Sequence, residues 1–328
     1  MNDKLPQEEV APVACPDSSR SSCPAGDAHD CVLACADVCA LHPGEQAAPI
    51  DFAEALARFQ REAVHGVCNT GRYRMPYFTW GEGPPLLFVH GLGDSGHSFL
   101  QPISRLAQHF RCIAYELPGG QRDGARLRRY ALDHLVADIW ILLDHLGLRR
   151  SYILGSSFGS TIVLKALHAH PERLPRAILQ GGLAYRPLRR AERLLSYWGR
   201  FLPGRMAGVP LREKILLKTA GTGFKACFPD VWNYFLECTG RARLATVAHQ
   251  AYLLHRIDLR STLPHIRQPV LLICGEHDRV VPRPHEEMLL QGLPNAGRVT
   301  IEGCGHVPSY THPEILAEVI RQFLTPPV

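Results

Sequence analysis

The sequence predicts an α/β fold, a doubly wound, mostly parallel sheet with a helical block inserted late in the chain. Three observations carry this. From Pro85 onward the chain alternates strand, loop and helix, the rhythm of parallel strands joined by right-handed crossovers. Leu86-Leu87-Phe88-Val89 is apolar throughout, as a strand covered on both faces must be. The rhythm then lapses over residues 184–258, where no buried-strand run occurs, and resumes with Val270-Leu271-Leu272-Ile273-Cys274.

The elements follow in order. Residues 1–50 are rich in Pro, Ser, Ala and Asp without periodicity and read as a disordered tail. Residues 51–65 form an N-terminal helix with Asp51 as N-cap, Glu54 three residues on, and Phe52, Leu56 and Phe59 on the face that packs on the main domain. The first part of the core spans 66–183. Tyr73, Tyr77, Phe78 and Trp80 suit short strands or a hairpin, and Gly81-Glu82-Gly83-Pro84 ends the region as a turn. Helices are expected near 98–109 and 131–146, the second carrying Leu135, Val136, Ile139 and Leu142 at helical spacing and stopping at Gly147. Strands are expected at 112–115, 152–155 and 177–180, with a helix after the second. Residues 184–258, with Leu194, Leu195, Trp198, Phe201 and Ile215 at amphipathic spacing, read as a helical lid. The core resumes over 259–328 with strands at 270–274 and 298–301 and helices at 284–292 and 312–323.

Composition narrows the function. A hydrophobic share of 46% and a charged share of 20% are ordinary for a globular protein. A net charge of +5 is too mild to argue for nucleic acid. No run of eighteen apolar residues exists, and the acidic start, with Asp3, Glu8 and Glu9, lacks the pattern of a signal peptide, so a cytoplasmic location is expected. Five of the eleven cysteines crowd the tail: Cys15, Cys23, Cys31, Cys35 and Cys39. An odd cluster argues against a disulfide framework. Cys31, Cys35 and Cys39 share a helical stripe near His29 and His42, but zinc sites use two separated thiol pairs, so no metal is expected. Cys112, Cys274 and Cys304 sit in apolar or strand-end contexts, as small hydrophobes do.

The chemistry centres on Gly155-Ser156-Ser157-Phe158-Gly159, where a strand turns into a helix. A serine between two glycines at such a turn is a nucleophile elbow: the tight, strained backbone exposes Oγ and places it at a helix N-terminus. A serine hydroxyl needs a base, and the base an orienting carboxylate. His306, in Gly303-Cys304-Gly305-His306, follows one strand; Glu276 and Asp278, in Gly275-Glu276-His277-Asp278, follow another. The C-terminal ends of parallel strands share one rim, so these loops can converge. His90-Gly91-Leu92-Gly93-Asp94 follows a third strand. Its backbone N–H groups, with that of Phe158, can bind an oxyanion, Leu92 being the expected donor and Gly93 the alternative. His90 reads as a structural histidine; Asp94, His97 and His277 read as rim or solvated residues.

Across residues 70–326 the chain resembles the α/β-hydrolase superfamily, in the group with a lid between the sixth and seventh strands. The resemblance rests on Phe88-Val89-His90-Gly91-Leu92-Gly93, Tyr115-Glu116-Leu117-Pro118-Gly119, the Ser157 elbow, Gly275-Glu276-His277-Asp278-Arg279-Val280-Val281-Pro282 and Gly303-Cys304-Gly305-His306. It departs at Glu116, where Asp is common, and at Gly119-Gly120-Gln121-Arg122-Asp123, where Gly-His-Gly-x-Ser is common; both flank the site. The resemblance implies a Ser157–Asp278–His306 triad in that order, with Asp278 preferred over Glu276, and a cofactor-free serine hydrolase that cleaves a carboxylic ester or thioester through an acyl-enzyme. The alternatives are hydrolysis of a carbon–carbon bond in a vinylogous diketone and a non-catalytic binding protein. Small-molecule acyl substrates are the expected partners. Arg186, Arg189, Arg190, Arg193, Arg200, Arg205, Arg212, Lys214 and Lys218 face only Glu192 and Glu213. They read either as a solvated face or as the rim of a lid that touches lipid.

Overall fold

The computed structural model describes residues 49–119, 124–220 and 224–325. The tail cysteines, His29 and His42, and the departure at Gly120-Gln121-Arg122-Asp123 lie outside the described residues. Helix α1 (Phe52–Glu62) starts where Asp51 Oδ1 accepts the Glu54 N–H at 3.0 Å. Its buried Phe59 packs edge-on against Phe78 and Trp80. Next come β1 (Val64–Asn69), β2 (Arg74–Trp80), β3 (Pro85–Val89), α2 (Leu100–Leu106), β4 (Arg111–Tyr115), α3 (Leu132–His145), β5 (Tyr152–Ser156), α4 (Phe158–Ala169) and β6 (Ala177–Gln180). Then come α5 (Arg190–Gly199), α6 (Arg212–Ala220), α7 (Phe224–Cys227), α8 (Pro229–Gly240) and α9 (Leu244–Arg256). The chain closes with β7 (Val270–Gly275), α10 (Arg283–Gly292), β8 (Ala296–Ile301), α11 (Pro308–Thr311) and α12 (Pro313–Leu324).

Among the described residues eight strands form one sheet in the order β1-β2-β4-β3-β5-β6-β7-β8; β2 runs antiparallel to both neighbours and every other pair is parallel. Alternate residues of each strand face opposite sides. Leu87, Val89 and Ile113 join the core under α3 and α4, while Leu86, Phe88 and Cys112 join the core under α1, α2 and α12. Both faces are thus covered, which is why these strands read as continuous apolar runs.

Three boundaries differ from expectation. The N-terminal helix expected over 51–65 ends at Glu62, and Val64 and His65 already belong to β1. The segment expected as one helix near 98–109 opens with a 3₁₀ turn, Gly96–Phe99, and its α-helical part ends at Leu106. The last helix is preceded by α11, because Pro308 and Pro313 each open a helix and neither can sit inside one. Cys112, Cys274 and Cys304 are buried, and burial pushes the Cys304 thiol up to about 12, so it packs as a hydrophobe. Among the described residues no helix is long and apolar enough to cross a membrane.

Strand order positions the site. Placing β4 outside β3 brings β3 beside β5, with Val89 paired to Gly155, so the loops after them meet. Pairing of Gly275 with Ile301 does the same for the loops after β7 and β8. Strand β6 lies between, with Gln180 opposite Ser156 on one side and Ile273 on the other.

Candidate active site

Ser157 joins β5 to α4 with φ 50° and ψ −116°, a backbone that L-residues rarely adopt. The turn survives only because its flanking residues are glycines. A Cβ at Gly155 would lie 2.7 Å from Gly159 O, and one at Gly159 would lie 2.3 Å from Val89 O. The Ser157 N–H donates to Gln180 O at 2.8 Å. Ser157 O accepts both the N–H and the hydroxyl of Ser160, at 2.9 and 2.6 Å.

His306 and Asp278 meet. Nδ1 of His306 lies 2.7 Å from Asp278 Oδ2, and the other carboxylate oxygen accepts the N–H groups of Val280 (2.8 Å) and Val281 (2.9 Å). The competing carboxylate, Glu276, turns away and accepts the Gly303 N–H at 2.8 Å, tying the two loops together. Gly181, with φ +55°, leaves room for the pair: a Cβ there would stand 3.0 Å from His306 Cε1 and 3.5 Å from Asp278 Oδ2. Among the described residues the structure gives Ser157 Oγ no hydrogen bond to His306. The two are linked through Gln180, whose Nε2 donates to His306 O at 3.2 Å while its own carbonyl holds Ser157.

The loop after β3 is held from both sides. His90 is buried; its Nε2 accepts the Leu117 N–H at 3.0 Å, so Nδ1 carries the proton and donates to Gly91 O at 2.9 Å. It supports the turn, as expected. Of the two candidate donors, Gly93 gives its N–H to Gln250 Oε1 of α9 at 3.0 Å. The N–H groups of Leu92 and Phe158 have no acceptor among the described residues.

Asp94 and His97, expected at the rim or in solvent, are half-buried at the wall of a cavity. His97 packs against Phe59 and Phe78, and its Nδ1 lies 3.5 Å from Glu116 Oε1. Glu116 also accepts the Gly96 N–H at 3.0 Å. Burial works to raise its pKa, but the His97 hydrogen bond, the charge of His97 and the Gly96 N–H outweigh it, and the carboxyl sits below the usual range. Asp94 Oδ1 accepts from the Ser95 N–H (2.9 Å) and the Tyr310 hydroxyl (3.1 Å), yet burial pushes its carboxyl up to about 6. His277 is exposed, as expected. A half-open cavity of about 280 Å³ borders Gly93, Asp94, Glu116, Cys238 and Arg241, between the β3 loop and helices α8 and α9.

The Asp94 carboxyl has a consequence for stability. Its folded pKa lies above the unfolded value of 3.8, so its contribution is fully present below that value and is lost as the pH rises through about 6. Asp94→Asn keeps an acceptor for Tyr310 and removes the charge. It should raise Tm at pH values well above 6, by at most about 3 kcal/mol of stability, and leave Tm nearly unchanged in acid. Thermal melts at the two extremes check this; equal shifts at both would refute it.

Gln180, Gly181 and Gln250 went unread in the sequence. A polar residue ending the buried run Ala177-Ile178-Leu179 was a usable signal for Gln180. Gln250 carried none, since its partner is 157 residues away.

Residues 84–313 match the family model for the α/β-hydrolase fold, and the chain belongs to this family and is a hydrolase. A protein of Pseudomonas savastanoi pv. phaseolicola given the name of a carbamate hydrolase is 25% identical over 74% of this chain and 94% of its own. A pimeloyl-[acyl-carrier protein] methyl ester esterase of Aeromonas hydrophila is 26% identical over 75% of this chain and 97% of its own. Among solved structures, the enol-lactonase from Burkholderia xenovorans superposes with a TM-score of 0.73 at 20% identity, covering 80% of this chain and all of that one, and shares the fold.

Proposed function

We propose that the protein cleaves a carboxylic ester or thioester through an acyl-enzyme on Ser157. The observation that carries this is the 2.7 Å Asp278–His306 pair on the same sheet rim as a serine held in a strained elbow. With Nδ1 of His306 donating to Asp278, Nε2 is left to accept the Ser157 proton as Oγ attacks the carbonyl carbon. The oxyanion then accepts from the N–H groups of Leu92 and Phe158, each worth about 3–4 kcal/mol of barrier. His306 returns the proton to the leaving alcohol or thiol. Water, deprotonated by His306, attacks the acyl carbon and releases the acid and free Ser157. The names of the two relatives, an ester esterase and a carbamate hydrolase, agree with acyl transfer to water as the class of reaction.

A fluorophosphonate probe tests the assignment, because it phosphonylates an activated serine and leaves an inert hydroxyl untouched. Peptide mapping should place the adduct on Ser157, and labelling should track loss of p-nitrophenyl ester hydrolysis. Folded protein that hydrolyses esters but carries the adduct elsewhere, or takes up none, would remove Ser157 from the role.

A further inference from the structure

Helix α5 is packed inside out. Its buried residues are Ser196 and Gly199, and a Cβ on Gly199 would lie 2.8 Å from Ala248 Cβ, so α5 lies against α9 through small residues. Its large apolar residues point the other way. Leu194, Leu195 and Trp198, with Phe201 and Leu202 just beyond the helix, recur at the spacing of one helical face and are between 50% and 70% exposed. Of the eleven exposed large hydrophobics among the described residues, nine lie between β6 and β7. A run of this kind costs solubility on a surface meant only for water.

Cations border this stripe. Residues 184–258 hold thirteen Lys and Arg against five Asp and Glu, a surplus of eight in a chain whose net charge is +5, so the remainder carries −3. Arg189, Arg190 and Arg193 are exposed, and none has a carboxylate within ion-pair reach among the described residues. Arg200 lies over the Tyr252 ring at 4.0 Å. Arg190, Arg193 and Arg256 line an open groove between α5 and α9 with Tyr197, Tyr252 and His255.

We propose that α5 and the turn after it dock the protein on a lipid bilayer rich in anionic headgroups. The aromatic and leucine side chains enter the interface while the arginines and the Arg-lined groove meet headgroup phosphates. An acidic protein partner would be matched by the cations alone and would leave five large apolar side chains in water. A bilayer accounts for both halves of the surface. This inference does not depend on which ester, if any, the enzyme cleaves.

The test uses the full chain with vesicles of phosphatidylglycerol and phosphatidylcholine, read by co-sedimentation and tryptophan emission. Trp80 and Trp232 are buried and Trp140 is half-buried, so Trp198 is the exposed reporter among the four. Expected at low salt are binding to the mixed vesicles with a blue shift, much weaker binding to phosphatidylcholine alone, and weakening as salt rises. Trp198→Phe should keep binding and lose most of the shift. Arg189→Ser, Arg190→Ser and Arg193→Ser together should weaken binding roughly 100-fold. Leu194→Ser with Phe201→Ser should weaken it at least about tenfold with Tm unchanged. The proposal is overturned if wild-type protein ignores the mixed vesicles, if both sets of variants bind as wild type does, or if poly-glutamate is bound equally well and the vesicles bring no blue shift.

Discussion

Ser157→Ala should lower kcat for a p-nitrophenyl ester by about 10⁵- to 10⁶-fold, and Asp278→Asn by about 10⁴-fold, with Tm little changed in either. The difference between them follows from what each leaves behind. In the proposed mechanism alanine at 157 removes the atom that forms the acyl bond, so the residue of activity is that of water attacking a bound, polarised ester. Asparagine at 278 keeps the serine but spoils the imidazole. Asp278 Oδ1 accepts from the N–H groups of Val280 and Val281, and Oδ2 accepts from His306. An asparagine must give its carbonyl to the two backbone donors and turn its NH₂ toward His306. Nδ1 then has to accept, the proton moves to Nε2, and the nitrogen facing the serine can no longer take a proton. The Asp278→Asn enzyme should therefore still label with fluorophosphonate, slowly, while the Ser157→Ala enzyme does not label at all. The double variant should be no worse than Ser157→Ala, since the residues act as one unit. Kinetics over a pH series check this, and a Ser157→Ala enzyme within tenfold of wild type would refute the mechanism.

What could be read from the residues in order was whatever one strand or one turn determines by itself. Leu86–Val89 is apolar because both its faces are covered, and Ser157 announces itself because Gly155 and Gly159 are demanded by atoms within van der Waals reach. His306 and Asp278 were legible because each closes a short motif at a strand end. The rest depends on contacts between distant segments. Gln250 reaches across from α9 to occupy the Gly93 N–H, a contact between segments 157 residues apart. Asp94 and His97 were expected as rim or solvated residues; the packing of Tyr310 and Phe59 over their loop half-buries them. The spacing of Leu194, Leu195 and Trp198 announced an amphipathic helix but not its orientation. That is set by Ser196 and Gly199, which let α5 approach α9 with its small face inward.

The largest loss of stability expected lies away from the site. Arg72→Ala should destabilise the fold by about 1–3 kcal/mol between pH 7 and pH 8. Arg72 stands in the turn between β1 and β2 and donates a hydrogen bond to Asp138 Oδ1 in the middle of α3. The Asp138 side chain is 1% exposed, whereas that of Arg72 is 31% exposed. The two partners respond in opposite senses. The Asp138 carboxylate raises the pKa of the guanidinium despite its desolvation, but burial of the carboxyl outweighs Arg72 and pushes Asp138 up to about 6. The cost of the pair therefore falls on the buried carboxylate. The sign follows from a folded pKa above the unfolded 3.8: stability from this group is full below that value and declines as the pH rises through about 6. Without Arg72 the carboxyl would hold its proton to still higher pH, and the decline would extend through neutrality. The deficit of Arg72→Ala relative to wild type should accordingly be small in acid and grow toward pH 8, as denaturant titrations at several pH values would show. Adding Asp138→Leu should restore most of the loss, because an apolar side chain next to Leu135, Ile139 and Leu142 leaves no charge to compensate. A deficit independent of pH, unrelieved by the second substitution, would mean that the arginine acts by packing its stem in the turn and not by neutralising Asp138.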